Sequence, residues 1–205
     1  EYFEVSAEIL QKVVSTAMSK GGDYAGLFFE HKTSNNISLE DRKVNRAFSS
    51  VDFGVGIRVL KGDQTGFAYS ENVSVDDMMN AAKMAASIAN DKSTFSPVDL
   101  TEKVLSGYYK IARQWDDISV KDKVPFVQKI NDMIFDLDEK VIKVNVFLND
   151  ETSYVLFYNS EGRLTYDYRP MISFGAVCIM QKGDKIENSY AARSFRKGFE
   201  WLDEN

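Results

Sequence analysis

Apolar residues recur at helical spacing between Ser6 and Lys20, where Ile9, Leu10, Val13, Val14, Ala17 and Met18 share one face. Gly21 and Gly22 follow, as glycines past a helix C-terminus do. From Ala25 the period changes. Residues 25–44, AGLFFEHKTSNNISLEDRKV, read as two extended segments, and residues 44–70 as further strand, a turn near Lys61–Thr65, and strand again. Ser74 with Asp77 forms a capping-box pattern. Behind it Met78, Met79, Ala82, Ala85, Ala86 and Ala89 line one helical stripe. Residues 91–119 are rich in polar and turn residues, Pro97 among them, and read as a connector. A third helix is expected from Asp122 to Leu137, with Pro125 tolerated in its first turn. Its apolar face is Phe126, Val127, Ile130, Met133, Ile134 and Leu137. Strands follow near 141–149, 153–160, 164–181 and 185–193.

The order is helix, strands, helix, connector, helix, strands. With short turns between strands, this is an α+β pattern of mainly antiparallel sheet with about three helices. It organises the chain as a first helix–strand–helix unit (1–90), a connector (91–119) and a second helix–strand unit (120–205). FGVGIRVLKGD (53–63) lies over FGAVCIMQKGD (174–184) at an offset of 121, and Tyr69 over Tyr190 at the same offset; Thr33-Ser34 lies over Thr152-Ser153 with a two-residue slip. A duplicated helix-plus-meander unit would produce this. So would the limited choice of residues that hairpin turns accept.

The G-x-G at Gly54 and Gly56 invites a nucleotide-binding reading. A dinucleotide site needs G-x-G-x-x-G between a strand and a helix. Here Arg58, Val59 and Leu60 follow, no helix starts, and a Gly-Lys-Ser/Thr phosphate loop is absent. As a strand, Phe53, Val55, Ile57 and Val59 alternate onto one face. Gly54, Gly56, Arg58 and Leu60 lie on the other. Two glycines on one face admit a close neighbour: a core helix, or a docked peptide or domain with Arg58 at its edge.

Charge and composition narrow the chemistry. A net charge of −6 over 205 residues opposes nucleic-acid binding. No apolar run approaches the ~20 residues of a membrane span, and no signal peptide opens the chain, so a cytoplasmic location is the expectation. The chain does not open on Met, and FRKGFEWLDEN closes it on the apolar anchors Phe199 and Trp201. Both suggest a piece of a longer polypeptide. His31 is the sole histidine and Cys178 the sole cysteine, the latter expected as a buried strand residue. Zinc would need carboxylates for the rest of its shell, and no Ser-His-Asp or Cys-His arrangement can be assembled. Asp116-Asp117 and Asp136, Asp138, Glu139 read as solvated faces.

Taken together, several stretches resemble the N-terminal domain of the TldD/PmbA family, once called modulators of DNA gyrase. DFGVGIRVLKGDQTGFAYSENVS (52–74) resembles a stretch of it. GGDYAGLFFEHKTSNNISLED is similar to the family's G-x-D-Y-A-E-L-x-F-E strand, YRPMISFGAVCIMQKGDKIENSY to its R-P-x-x-x-x-x-V block, and RKGFEWL to its R-x-G-Y-E-F block. They occur in family order across the chain, and TGFAYS and RPM lean toward the TldD branch. The resemblance implies a zinc metallopeptidase that degrades or trims unfolded peptides. It implies an H-E-x-x-x-H helix beyond the region matched, and pairing as a homodimer or with a PmbA-type subunit. These 205 residues would then hold no cofactor and no catalytic or metal residue. They would meet unfolded peptide and the protein's own C-terminal metallopeptidase domain, with Gly54, Gly56, Arg58, Tyr69, Arg169 and Arg196 as the candidate contacts. A stand-alone peptide-binding or oligomerisation module is the alternative. One departure stands out: AARSF (191–195) fills the stretch where the family often carries a glycine run.

Overall fold

The structure, a computed structural model, describes residues 2–91, 95–105 and 108–204. Helix α1 (Ala7–Met18) precedes strands β1 (Tyr24–Glu40), β2 (Lys43–Lys61) and β3 (Gln64–Ser70), then α2 (Val75–Ala86) and β4 (Thr101–Leu105). A 3-10 turn (Trp115–Asp117) leads to α3 (Val120–Leu137), β5 (Val141–Asn159), β6 (Arg163–Lys182), β7 (Lys185–Phe195) and α4 (Glu200–Glu204). The fold is α+β, and its sheet is mainly antiparallel. The strand order is β3-β2-β1-β5-β6-β4, with β7 also on β6.

Local chemistry sets the element ends. The Ser6 hydroxyl accepts from the Ile9 N–H at 3.3 Å and caps α1, and Gly21 follows that helix at φ 82°. Ser74 caps α2 in the same way, accepting from the Asp77 N–H at 3.2 Å and donating to the Asp77 carboxylate at 2.6 Å. Asp41 (φ 47°) and Arg42 (φ 68°) form the two-residue turn between β1 and β2, where both positions need positive φ.

The chain forms two compact units. The first comprises Glu1–Lys32, Asp52–Ser106 and Ser153–Tyr168. In it α1 and α2 touch each other, and α2 also lies on β3. Leu10, Val13 and Val14 of α1 and Met78, Ala81, Ala82 and Ala85 of α2 bury against Leu27, Phe29, Val55, Ile57 and Val59. Each large side chain so buried stabilises by roughly 1.5–3 kcal/mol. β4 runs parallel to β6, Thr101 facing Arg163 and Leu105 facing Asp167.

The second unit comprises Thr33–Val51, Gly107–Thr152 and Arg169–Asn205. Its core gathers Ile37, Leu39, Val144, Val146, Leu148 and Ile172 from strands with Trp115, Val127, Phe199 and Leu202. The Trp115 indole donates to the Lys197 carbonyl at 2.7 Å and its ring meets Phe199 edge-on.

Several expectations need correction. The connector holds β4, whose partner lies far along the chain, and the buried Trp115. A fourth helix, α4, closes the chain. The strands expected at 141–149 and 153–160 are one strand, β5 (Val141–Asn159), with Asp150 an ion-pair partner inside it. The two extended segments read over 25–44 are β1 and the start of β2, parted at Asp41 and Arg42. On α3 the buried residues are Lys123, Val127 and Asn131, while Met133 and Leu137 are exposed. Cys178 is half-buried rather than buried.

The two Lys-Gly-Asp turns are real, with Gly62 at φ 53° and Gly183 at φ 59°. Tyr69 faces Gly56, and Tyr190 faces Val177, which keeps the 121-residue offset in register. Helix, three strands and helix occur in that order on either side of β4. This likeness is one of topology and turn chemistry and does not by itself demonstrate an internal duplication.

Candidate functional site

In the first unit, Gly54, Gly56, Arg58 and Tyr69 lie on the β2–β3 hairpin. Val55, Ile57 and Val59 turn into the core, so the glycines and Arg58 face the other way. On that side Gly56 pairs with Tyr69 and Arg58 with Phe67. Tyr69 is 72 % exposed and Phe67 64 %, and Phe28 of β1 is partly exposed beside them. A Cβ on Gly56 would stand 3.2 Å from the Phe67 ring and 4.0 Å from the Phe28 carbonyl oxygen. The face carries aromatic rings around a glycine and a cation. Gly54, at φ 156°, lies against backbone: a Cβ there would come within 2.4 Å of the Ser70 carbonyl oxygen.

The helix that glycine spacing suggested sits elsewhere. A Cβ on Gly66 would stand 2.1 Å from the Ala85 carbonyl oxygen, so Gly66 is where α2 meets the hairpin. Gly66 is in register with Val59, on the core side. The missed signal is a small residue on the apolar face of β3.

The second unit carries a related arrangement. A Cβ on Gly175 would meet the Phe147 ring at 2.7 Å and the Ala191 carbonyl oxygen at 2.5 Å. Phe147 stacks on the exposed Tyr190 with ring centroids 6.2 Å apart and planes at 13°. Arg196 donates to the Pro170 carbonyl at 3.4 Å, and its guanidinium lies 5.8 Å from the Tyr109 ring centre. Arg169 is half-buried on β6, next to Pro170. Thus the structure groups Gly56, Arg58 and Tyr69 in one unit, and draws Arg196 to the β6 segment that holds Arg169 in the other.

Sequence reasoning also missed a polar recess of about 270 Å³ in the second unit, lined by Asn35, Asn36, Phe48, Asn149, Asp150, Glu151 and others. Asp150 accepts from Asn35 at 2.8 Å and from the buried Lys123 ammonium at 2.8 and 2.9 Å. Burial pushes the Asp150 carboxyl above its ordinary range, against the pull of Lys123 and Asn35. The pair satisfies its own charges, the Asn36 amide donates to the Asn149 amide oxygen, and the Glu151 carboxylate also lines the recess.

A catalytic zinc takes about three protein ligands and an open position. Among the described residues no three His, Cys, Asp or Glu side chains converge. His31 lies among rings, 5.2 Å from Tyr2, 5.9 Å from Phe53 and 6.4 Å from Tyr154, with Nδ1 buried and lacking a hydrogen-bond partner. Cys178 lies in the other unit. The donor set described does not fit that metal. No described helix is long and apolar enough to cross a membrane.

Residues 25–89 match the family model for PmbA/TldA metallopeptidase domain 1, and residues 113–204 match that for the PmbA/TldA metallopeptidase central domain. A metalloprotease TldD homolog of Buchnera aphidicola (subsp. Acyrthosiphon pisum) is 28% identical over 180 residues, covering 88% of this chain and 37% of the relative. The TldD homolog of Haemophilus influenzae is 23% identical over 202 residues, covering 98% and 42%. The chain therefore spans about two fifths of the length of these curated relatives. Among solved structures, a protein described as a modulator of DNA gyrase from Bacteroides thetaiotaomicron shares the fold, with TM-score 0.70, 14% identity, and 93% and 45% of the two chains covered. TldE from Thermococcus kodakarensis follows at TM-score 0.61 and 17% identity, covering 92% and 43%. With both family models matched in order along most of its length, this chain belongs to the PmbA/TldA (TldD/PmbA) metallopeptidase family.

Proposed function

We propose that this chain is the non-catalytic N-terminal part of a TldD-type zinc metallopeptidase that degrades or trims unfolded peptides, and that it serves substrate access and subunit assembly. The observation that carries the reading is the ordered match of domain 1 and the central domain on one chain. On this reading the zinc ligands would come from the protein's own C-terminal metallopeptidase domain. When bound there, zinc would supply an activated water and polarise the peptide carbonyl.

This chain's contribution is binding. Phe28, Phe67 and Tyr69 offer apolar ring surface to an extended peptide, and Gly56 leaves room between the rings. Arg58 adds a cation for a carboxylate or a main-chain carbonyl. Neither contact demands a particular sequence, as suits substrates that share only an extended backbone. The partner in assembly is a second copy or a PmbA-type subunit, in a cytoplasmic setting.

The test compares the longer polypeptide, its Phe67→Ser/Tyr69→Ser variant and the 205-residue chain for zinc content and for cleavage of an unfolded peptide. The longer protein should hold zinc and cleave, and the variant should hold zinc with a raised KM. The short chain should do neither. Zinc retention and cleavage by the short chain would overturn the reading. A longer protein without zinc or cleavage would leave the alternative, a stand-alone peptide-binding or oligomerisation module.

A further inference from the structure

The polar recess of the second unit lies on the sheet face turned away from α3. Val144, Val146 and Leu148 of β5 and Ile172 of β6 face the core, and Asp150 continues that series to reach Lys123 on α3. Alternation therefore sends Asn149, Glu151, Met171 and Ser173 to the opposite face. Ile37 and Leu39 of β1 point inward, which places Ser34 and Asn36 there too. Phe48 of β2, exposed, forms a further wall. The recess is not neutral. Its described lining holds two carboxylates, Asp150 and Glu151, and no cation. Lys123 compensates Asp150 from the α3 side at 2.8 Å. Glu151 makes no ion pair with any described residue. It is half-buried, so water screens its charge only in part.

We propose that this recess takes the guanidinium group of an arginine side chain carried by an extended peptide. The uncompensated Glu151 carboxylate repels an anion and is complemented by a cation. A bare divalent ion needs about six or more oxygens in close array. One free carboxylate in about 270 Å³, walled partly by Phe48 and Met171, suits an organic cation instead. An ammonium is a compact, strongly hydrated point charge, whereas a guanidinium is flat, stacks on rings and presents five donors. The lining matches the second. The Phe48 ring offers a stacking face, and the Glu151 carboxylate and the amide oxygens of Asn36 and Asn149 are acceptors drawn from two strands. The Asn149 oxygen accepts from Asn36 and keeps a second lone pair. Met171 supplies apolar surface for the alkyl stem. The inference rests on the peptide-binding part of the proposed function and names the residue class that part would select.

Unfolded peptides that differ at one position, where they carry arginine, lysine or citrulline, test this on the longer polypeptide. Affinity is read by fluorescence anisotropy, and cleavage is followed in the same samples. Citrulline keeps the shape of arginine without its charge. The arginine peptide should bind at least about tenfold more tightly than the citrulline peptide, with lysine between them. Glu151→Gln should erase the difference and Phe48→Leu should narrow it, each variant melting as the wild type does. Equal affinity for arginine and citrulline overturns the proposal, as does an arginine preference that survives Glu151→Gln, or no binding of any peptide. A lysine peptide that binds as tightly as the arginine one overturns the guanidinium assignment. The two readings fail separately. Cleavage without arginine preference removes only this site, and arginine-selective binding without cleavage removes only the peptidase reading.

Discussion

The Lys123 ammonium stands 2.8 and 2.9 Å from the two carboxylate oxygens of Asp150, with each side chain 1 % exposed. This pair fastens α3 to β5 inside the second unit. Removing one partner leaves a buried charge uncompensated, which typically costs about 3–5 kcal/mol. Asp150→Asn should therefore lower the denaturant midpoint sharply. The double change Lys123→Met/Asp150→Leu should recover most of the loss, since replacing a buried pair by apolar groups is often neutral. Urea titrations of the three proteins check this, and equal losses for the single and double variants would contradict it.

Gly66 and Gly56 are separated by what each would touch. A side chain on Gly66 runs into the Ala85 carbonyl, main chain that cannot rotate away, whereas one on Gly56 meets the exposed Phe67 ring at 3.2 Å and main chain no nearer than 4.0 Å. Gly66→Ala should cost about 1–3 kcal/mol by overpacking. Gly56→Ala should stay within about 0.5 kcal/mol, as surface changes usually do. Thermal melts of both variants decide it, and the reverse order would show that the open face is at Gly66.

Glu200 predicts how stability changes in acid. Burial opposes its ionisation, but the N–H groups of Arg113, Glu200 itself, Ala112 and Gly198 outweigh burial and hold its carboxyl below the ordinary range. The Arg113 N–H donates to it at 3.0 Å. Its pKa is lower folded than unfolded, so between the two values the unfolded chain binds more protons and stability rises with pH. The contribution is present above the ordinary glutamate value of about 4.3 and is lost as pH falls through the folded one. The melting-temperature gap between wild type and Glu200→Gln should shrink on acidification from about pH 6 to about pH 3; a constant gap would remove Glu200 from the acid response.

The sequence by itself determined the elements whose cause is local. The helical stripes of α1 and α2, the Ser74 cap and the two Gly-Asp turns follow from side-chain period and from residues that accept positive φ. So does the alternation that sends Val55, Ile57 and Val59 inward. Tertiary structure decided everything whose partner is distant in the chain. Neither Lys123 nor Asp150 stands out in the sequence, because their burial depends on β5 passing beneath α3. β4 exists because Arg163–Asp167 lies alongside it, and hydropathy cannot see a neighbour about sixty residues away. The glycines show the same division. Their spacing announces a close approach, but whether a helix, a backbone or an aromatic ring does the approaching depends on which face of the hairpin the helices cover. They cover the face with Gly66, and leave Gly56, Phe67 and Tyr69 to the outside.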